Sequence, residues 1–276
     1  MYHIFIMEVD SMEEMEYMEK LSEKMKRLEN ETNYVLRKKT PVILRIDGRS
    51  FSKFTKGLDK PFDKDLSNIY QKIVSELHKE MDNVKFIYST SDEINILMTD
   101  WTNDNTEAWY NYRLQKLSSI ASSLVTVKFN KAVLDLKNEY WSRAMAKDTT
   151  PEDDEYNLTK YKLWRDKQFK AMFDCRAFNL EKEDVVPYFI YRQKDAIRNS
   201  ISSLANAYFS HKTLEGKNQK EKLQMVKDET GIDWNELSII QQRGFVVYKR
   251  AKGDWVVDDN IPEFMIDRNY IERWLE

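Results

Sequence analysis

The sequence predicts an α+β fold built on an antiparallel sheet of βαββαβ connectivity, the ferredoxin-like split βαβ unit, with helical and β additions. Three observations predict it. A β-like run, Pro41-Val42-Ile43-Leu44, leads into Arg45-Ile46-Asp47-Gly48-Arg49. Two further β-like runs, 84–88 and 94–98, flank Ser89-Thr90-Ser91 and Asp92-Glu93, so they read as a hairpin with a small-residue turn. Helical patterns precede and follow that hairpin, and a fourth β-like run lies at 171–178. In this connectivity the first strand lies beside the third, which brings the end of the first strand to the hairpin turn.

The elements follow in order. Ser11 with Glu14 makes a capping box, and Met12, Met15, Met18, Leu21, Met25 and Leu28 recur at helical spacing, giving an amphipathic N-terminal helix within 1–40. Its methionines are expected to pack on the core, with a subunit contact as the alternative. Asp63 is the expected N-cap of a helix whose apolar face is Leu66, Ile69, Tyr70, Ile73, Val74 and Leu77. A second long helix is expected over 106–129, followed by a charged insertion spanning 131–170. The palm-like core therefore covers 41–180. Beyond it, helical patterns at 183–210 and 219–229 and β-like runs at 244–248 and 255–258 form an appendage, 181–276, that completes a single unit of 1–276.

At 41% hydrophobic and 13% aromatic the chain can fill a core, and six glycines with five prolines argue against flexible linkers. One cysteine, Cys175, excludes an intrachain disulfide framework, and His3, His78 and His211 show no metal-ligand spacing, so a reducing cytoplasmic setting is expected. The apolar stretch Ile4-Phe5-Ile6-Met7 is too short for a signal h-region or a membrane span. The net charge of −3 excludes a chain that is basic overall, so RNA contacts must come from local patches. Candidates are Arg37-Lys38-Lys39, the trio Lys53, Lys56 and Lys60, and the stretches 160–170 and 211–222. In a chain that is 33% charged, most such runs are solvated faces.

Asp47 at a strand end, with Asp92 and Glu93 on the hairpin shoulder, would repel one another unless a cation held them ionised. A hard divalent ion does so, and magnesium is typically held by one or two carboxylates plus substrate phosphates. Two such ions can stabilise both the attacking and the leaving oxygen in phosphoryl transfer.

The segments Arg45-Ile-Asp-Gly-Arg-Ser-Phe-Ser-Lys-Phe54, Lys60-Pro-Phe-Asp63, Ser91-Asp-Glu93, Phe173-Asp-Cys-Arg176, Tyr191-Arg-Gln-Lys-Asp195 and Arg243-Gly244 occur in that order. Together they resemble the tRNA-histidine guanylyltransferase superfamily, in particular its guanylyltransferase-like branch, over about 25–250. The resemblance implies a palm like that of polymerases and nucleotide cyclases. It implies a reverse polymerase that adds nucleotides to the 5′ end of tRNA in the 3′–5′ direction. It also implies two Mg2+ ions, GTP and ATP as substrates, and a homotetramer built as a dimer of dimers. By the same resemblance, Asp47 and Asp92 bind metal with the Gly48 carbonyl, and Glu93 supports them. Lys60 and Ser91 engage a triphosphate, as do Arg113 and Lys116, which are expected on one face of the second palm helix. Arg45, Asp63, Asn199 and Arg243 lie inside or beside matched segments.

The chain also departs from the eukaryotic histidine-tRNA pattern. Where that enzyme carries His-Ile-Asn-Asn-Leu-Tyr-Asn, this chain has Ile197-Arg-Asn-Ser-Ile-Ser-Ser203. The expectation is therefore template-dependent repair of truncated tRNA 5′ ends. The alternatives are untemplated addition of G to tRNA-histidine, a nucleotide cyclase, and an inactive RNA-binding protein.

Overall fold

The computed structural model describes residues 12–101, 106–146 and 150–276. Its elements in chain order are α1 (Met12–Asn30), β1 (Val42–Gly48), α2 (Phe51–Phe54), α3 (Lys64–Glu76), β2 (Val84–Thr90), β3 (Glu93–Met98), α4 (Leu114–Ala144), α5 (Pro151–Arg165) and β4 (Phe173–Asn179). There follow α6 (Lys182–Tyr208), α7 (His211–Leu214), α8 (Gln219–Thr230), α9 (Ile239–Arg243), β5 (Phe245–Lys249), β6 (Trp255–Asp258) and α10 (Asn269–Glu272). The six strands form one sheet in the order β4-β1-β3-β2-β5-β6, with every neighbour antiparallel.

Side chains alternate across a strand, so β1 serves two cores at once. Val42, Leu44 and Ile46 face a cluster that includes Ile73 and Val74 of α3 and Leu117, Val125 and Phe129 of α4. On the opposite face Ile43 packs with Phe86, Tyr88, Leu97 and Val246, covered by Val185 and Phe189 of α6 and by Ile261, Phe264 and Ile271. Arg45 and Asp47 share this α6 side with Ile43. A third, small cluster joins the end of α6 to α7 and α8 through Leu204, Ala205, Leu214 and Val226.

Asp63 caps α3 as expected, its side chain accepting from the Leu66 N–H at 2.9 Å. Other expectations need correction. Ser89 and Thr90 belong to β2 itself, and the turn is Ser91-Asp92, with Ser91 at φ 51°. The long second helix begins at Leu114, not near 106, because Tyr110, Asn111 and Tyr112 take left-handed conformations that no helix can contain. The described residues of 131–170, expected as a charged insertion, are helical over most of their length. They complete α4, and α5 folds back against it, burying Ala132, Val133, Tyr140 and Trp164.

Two lysines of the supposed basic stretch are consumed by that packing. Lys160 reaches Asp59 at 2.6 Å, and buried Lys167 donates to the Phe54 and Lys56 carbonyls. The α1 methionines whose side chains are described do not pack on the core: Met15, Met18 and Met25 stand exposed. Ser11, and with it the expected cap, lies outside the described residues. Among the described residues no helix is long and apolar enough to cross a membrane.

Candidate active site

The register of the sheet builds the site. Asp47 pairs with Glu93 on one side and with Asp174 on the other, so three carboxylates form a row across β4, β1 and β3. In the next row Arg45 lies between Asn95 and Arg176. Asp92 joins from the β2–β3 turn, where its carbonyl accepts from the Gly48 N–H at 3.1 Å. Gly48 is required at this crossing. A Cβ there would lie 3.0 Å from the Asp92 Cβ and 2.4 Å from the Phe51 ring.

The carboxylates in this group differ in kind. Glu93 is neutralised: Arg45 grips its Oε2 at 2.6 and 2.8 Å, Arg192 of α6 adds a contact at 2.9 Å, and the Asn95 amide donates to Oε1 at 2.9 Å. Arg192 is 4% exposed, so its side of this clamp is nearly dry, while Arg45 reaches the cavity. Asp47 and Asp92 have no such clamp. The nearest guanidinium contact of Asp47 is Arg45 at 3.9 Å. Burial pushes the Asp47 carboxyl above its ordinary range, Arg45 opposes this, and Glu93 and Asp174 reinforce it. Burial likewise raises Asp92, with its own backbone N–H and the Ser91 hydroxyl opposing and Asp47 and Glu93 adding to the shift. The Ser91 hydroxyl donates to Asp92 Oδ1 at 3.0 Å.

Burial and neighbouring carboxylates that raise a carboxyl in this way favour a cation bound beside it. Among the described residues no group of three or more His, Cys, Asp or Glu side chains forms a metal cluster. The donor set is thus two hard carboxylates beside a glycine backbone, which suits an ion completing its shell with water and phosphate.

Asp47 and Asp92 open into a cavity of about 850 Å³. Its walls are the sheet end, the loop 58–63 with the start of α3, and one face of α6. Lys60, Asp63, Ser91 and Asn199 all line it, together with Arg45 and Glu93. Asp63 itself is committed to the loop, its Oδ2 accepting from the Asp59 N–H at 3.0 Å.

Three expected residues lie elsewhere. Arg243 turns its guanidinium to the Ile261 carbonyl and the Gln242 side chain, each at 3.1 Å. Arg113 and Lys116 sit at the opposite end of the sheet, because Arg113 bridges Val35, ahead of β1, and precedes α4 as its N-cap. Arg113 lines a separate cavity of about 420 Å³ with Glu80, Asp82 and Glu107. Seven residues of strand at roughly 3.3 Å each separate the two ends, about 20 Å. Sequence reading missed Arg192, whose partner Glu93 is far away in the chain. It also gave Asp174 no role, although the strand pattern of 171–178 places it one strand from Asp47.

A sequence profile of the family described as Thg1, tRNAHis guanylyltransferase, matches residues 22–181. The structure resembles a bacterial tRNA(His) guanylyltransferase (Thg1)-like protein in complex with ATP, with a TM-score of 0.77 and 36% identity over 92% of this chain and 99% of that one. A bacterial Thg1-like protein in complex with GTP matches with a TM-score of 0.71 and 32% identity, at the same coverages of 92% and 99%. The tRNA(His) guanylyltransferase of Saccharomyces cerevisiae, 19% identical with a TM-score of 0.59 over 87% of this chain and 97% of its own, shares the fold. Uncharacterized protein R259 of Acanthamoeba polyphaga mimivirus is 24% identical over 263 residues, 91% of this chain and 83% of its own length.

Proposed function

Because the chain belongs to the tRNAHis guanylyltransferase (Thg1) family of nucleotidyltransferases, we propose that it adds nucleotides to the 5′ end of tRNA in the 3′–5′ direction, with pairing to the opposite strand selecting each nucleotide. The observation that carries this reading is the convergence of Asp47 and Asp92 beside Gly48 in one large cavity that Lys60, Ser91 and Asn199 also line. The strand order β4-β1-β3-β2 supports a ferredoxin-like, palm-type core. In this reading the appendage 181–276 closes the cavity through the α6 face.

Phosphoryl transfer is mostly positioning plus neutralisation of oxygens, so no protein nucleophile is needed. Asp47, Asp92 and the Gly48 carbonyl would hold magnesium, two ions in the full reading, which when bound polarise phosphate oxygens and neutralise their charge. Lys60 supplies a mobile cation to the triphosphate of ATP or GTP. Ser91 orients Asp92 through its hydroxyl. Glu93, held by Arg45 and Arg192, fixes β3 against α6 and so sets the width of the cavity. The 5′-monophosphate of the RNA first attacks the α-phosphorus of ATP or GTP and displaces pyrophosphate, and the 3′-hydroxyl of the incoming nucleotide then attacks the activated 5′ phosphate, forming the new phosphodiester as the nucleoside monophosphate leaves. Arg113 and Lys116, remote from the carboxylates, are assigned to phosphates of the RNA or of a second nucleotide. A homotetramer, which rests on the family resemblance, and a cytoplasmic setting, which rests on the single cysteine, complete the reading.

The departures at 197–203 favour templated repair over obligatory G addition. The test is extension with magnesium and four labelled nucleotides on 5′-monophosphorylated RNAs: a tRNA lacking its first nucleotide and a full-length tRNA-histidine. Filling only the missing, paired position supports the reading. Addition of G to the full-length tRNA alone reassigns it to the histidine-specific reaction, and no addition to either overturns it.

A further inference from the structure

The wall of the large cavity holds buried polar atoms that have no hydrogen-bond partner among the described residues: the Tyr70 hydroxyl, the Ser89 hydroxyl and Arg192 Nε. Arg192 is already committed to Glu93 through another nitrogen, and Ser89 is a strand residue paired between Ile94 and Phe245. Tyr70 of α3 differs from both, because it stands at the carboxylates. Its ring packs on those of Phe129, Phe51 and Phe173, with centroids 5.2, 6.0 and 6.5 Å away. The Phe51 ring abuts Gly48, and Phe173 pairs with Gly48 across β1 and β4. The phenol is therefore anchored at the strand end that carries Asp47.

A buried hydroxyl without a partner is costly, and phenylalanine would fill the same space without that cost. Burial, reinforced by the charges of Asp92 and Asp47, holds the phenol far above its ordinary pKa, so it keeps its proton and serves as a donor. Its acceptor must come from what fills the cavity. We infer that Tyr70 is a positioning residue of the Asp47–Asp92 pair, its hydroxyl donating to the water shell of a divalent cation held there and so strengthening the pair's hold on the ion. The inference rests on the reading of Asp47 and Asp92 as a metal site. Hydrogen bonds that orient the groups around an ion typically change metal affinity by roughly 10–100-fold.

The test removes the hydroxyl alone. In the full chain, without RNA or nucleotide, Mn2+ is titrated and the free ion followed by electron paramagnetic resonance for the parent, Tyr70→Phe and Asp92→Ala. Tyr70→Phe is expected to weaken manganese binding about tenfold, and Asp92→Ala to abolish it. A hydroxyl with no partner in the metal-free fold adds nothing to it, so Tyr70→Phe should melt, without metal, at or above the temperature of the parent. Manganese affinity unchanged by Tyr70→Phe overturns the inference and leaves the carboxylate site standing. A metal-free Tm below that of the parent also overturns it, because the hydroxyl is then bonded within the fold. Manganese binding that survives Asp92→Ala overturns the metal-site reading, and the inference with it. Equilibrium dialysis of ATP without metal completes the set: a loss in Tyr70→Phe there, with manganese affinity retained, assigns the hydroxyl to the nucleotide instead.

Discussion

The two ends of the central sheet carry charged residues of the same kinds and treat them oppositely. Where β1 begins, charges are satisfied within the fold. Buried Asp100 accepts from the Lys39 N–H at 2.8 Å, its carbonyl accepts from the Lys39 side chain at 2.7 Å, and Glu80 pairs with Lys128 at 2.5 Å. Where β1 ends, Glu93 is equally well satisfied, but the Asp47 and Asp92 carboxyls are raised by burial and by neighbouring carboxylates, Glu93 acting on both and Asp47 on Asp92. Neutralised pairs hold a fold together, whereas clustered like charges are stabilised by a bound cation, and this contrast separates the site from its scaffold.

Replacing the unneutralised pair should have the largest effect. Asp47→Ala or Asp92→Ala is expected to lower 5′-extension kcat by roughly 10³-fold or more while leaving the circular dichroism spectrum intact. Retained activity would place the chemistry elsewhere.

Breaking the neutralised group should act on folding instead. Arg192→Met leaves Glu93 with only one of its two guanidinium partners in a nearly dry setting. Chemical denaturation should show a loss of about 2–4 kcal/mol. A variant of normal stability but no activity would instead assign Arg192 to the substrate.

The far end offers a smaller contrast. Lys116→Ala, on an exposed side chain, is expected to raise KM for RNA about fivefold and to flatten its salt dependence, with activation by ATP unchanged. An equal loss in both steps would bring the two ends into one functional site.

The smallest effect concerns stability without metal. Burial raises the Asp92 carboxyl above 3.8, so the folded state keeps its proton where the unfolded chain has released it. The contribution is therefore fully present at low pH and is lost as pH rises from about 3.8 through the raised folded value. Asp92→Asn should remove that loss, making the metal-free protein at neutral pH about 0.5–1 kcal/mol more stable in calorimetry. Added magnesium should raise the Tm of the parent and not that of the variant. If magnesium stabilised both equally, the ion would sit elsewhere.

The strands were legible, though not the end of β2, because alternation and turn residues are local signals, and the connectivity then placed Asp47 against the hairpin. The α4–α5 pair was not. Its buried face includes the polar Asn157 and Lys160, the latter paired with Asp59, so its hydrophobic period is weak. The exposure of the α1 methionines was hidden for a different reason, since periodicity reveals an apolar face without revealing what covers it. Arg113 and Lys116 lie away from the carboxylates, because helical spacing fixes neighbours on a helix and not the end of the sheet that the helix starts from, and Arg113 is the extended N-cap of α4 rather than a residue of it. The clamp on Glu93 joins residues 45, 93 and 192, and no local signal in the chain links them.

The Gly48 N–H to Asp92 carbonyl bond has a consequence for how such enzymes diversify. It spaces the two carboxylates through main-chain atoms, independently of the side chains that form the cavity walls. Substitutions along α6, including the run 197–203, can reshape what the cavity admits without disturbing the pair to which the proposed chemistry is assigned. Substrate choice and reactivity are thereby separate inheritable traits of one fold, free to change at different rates.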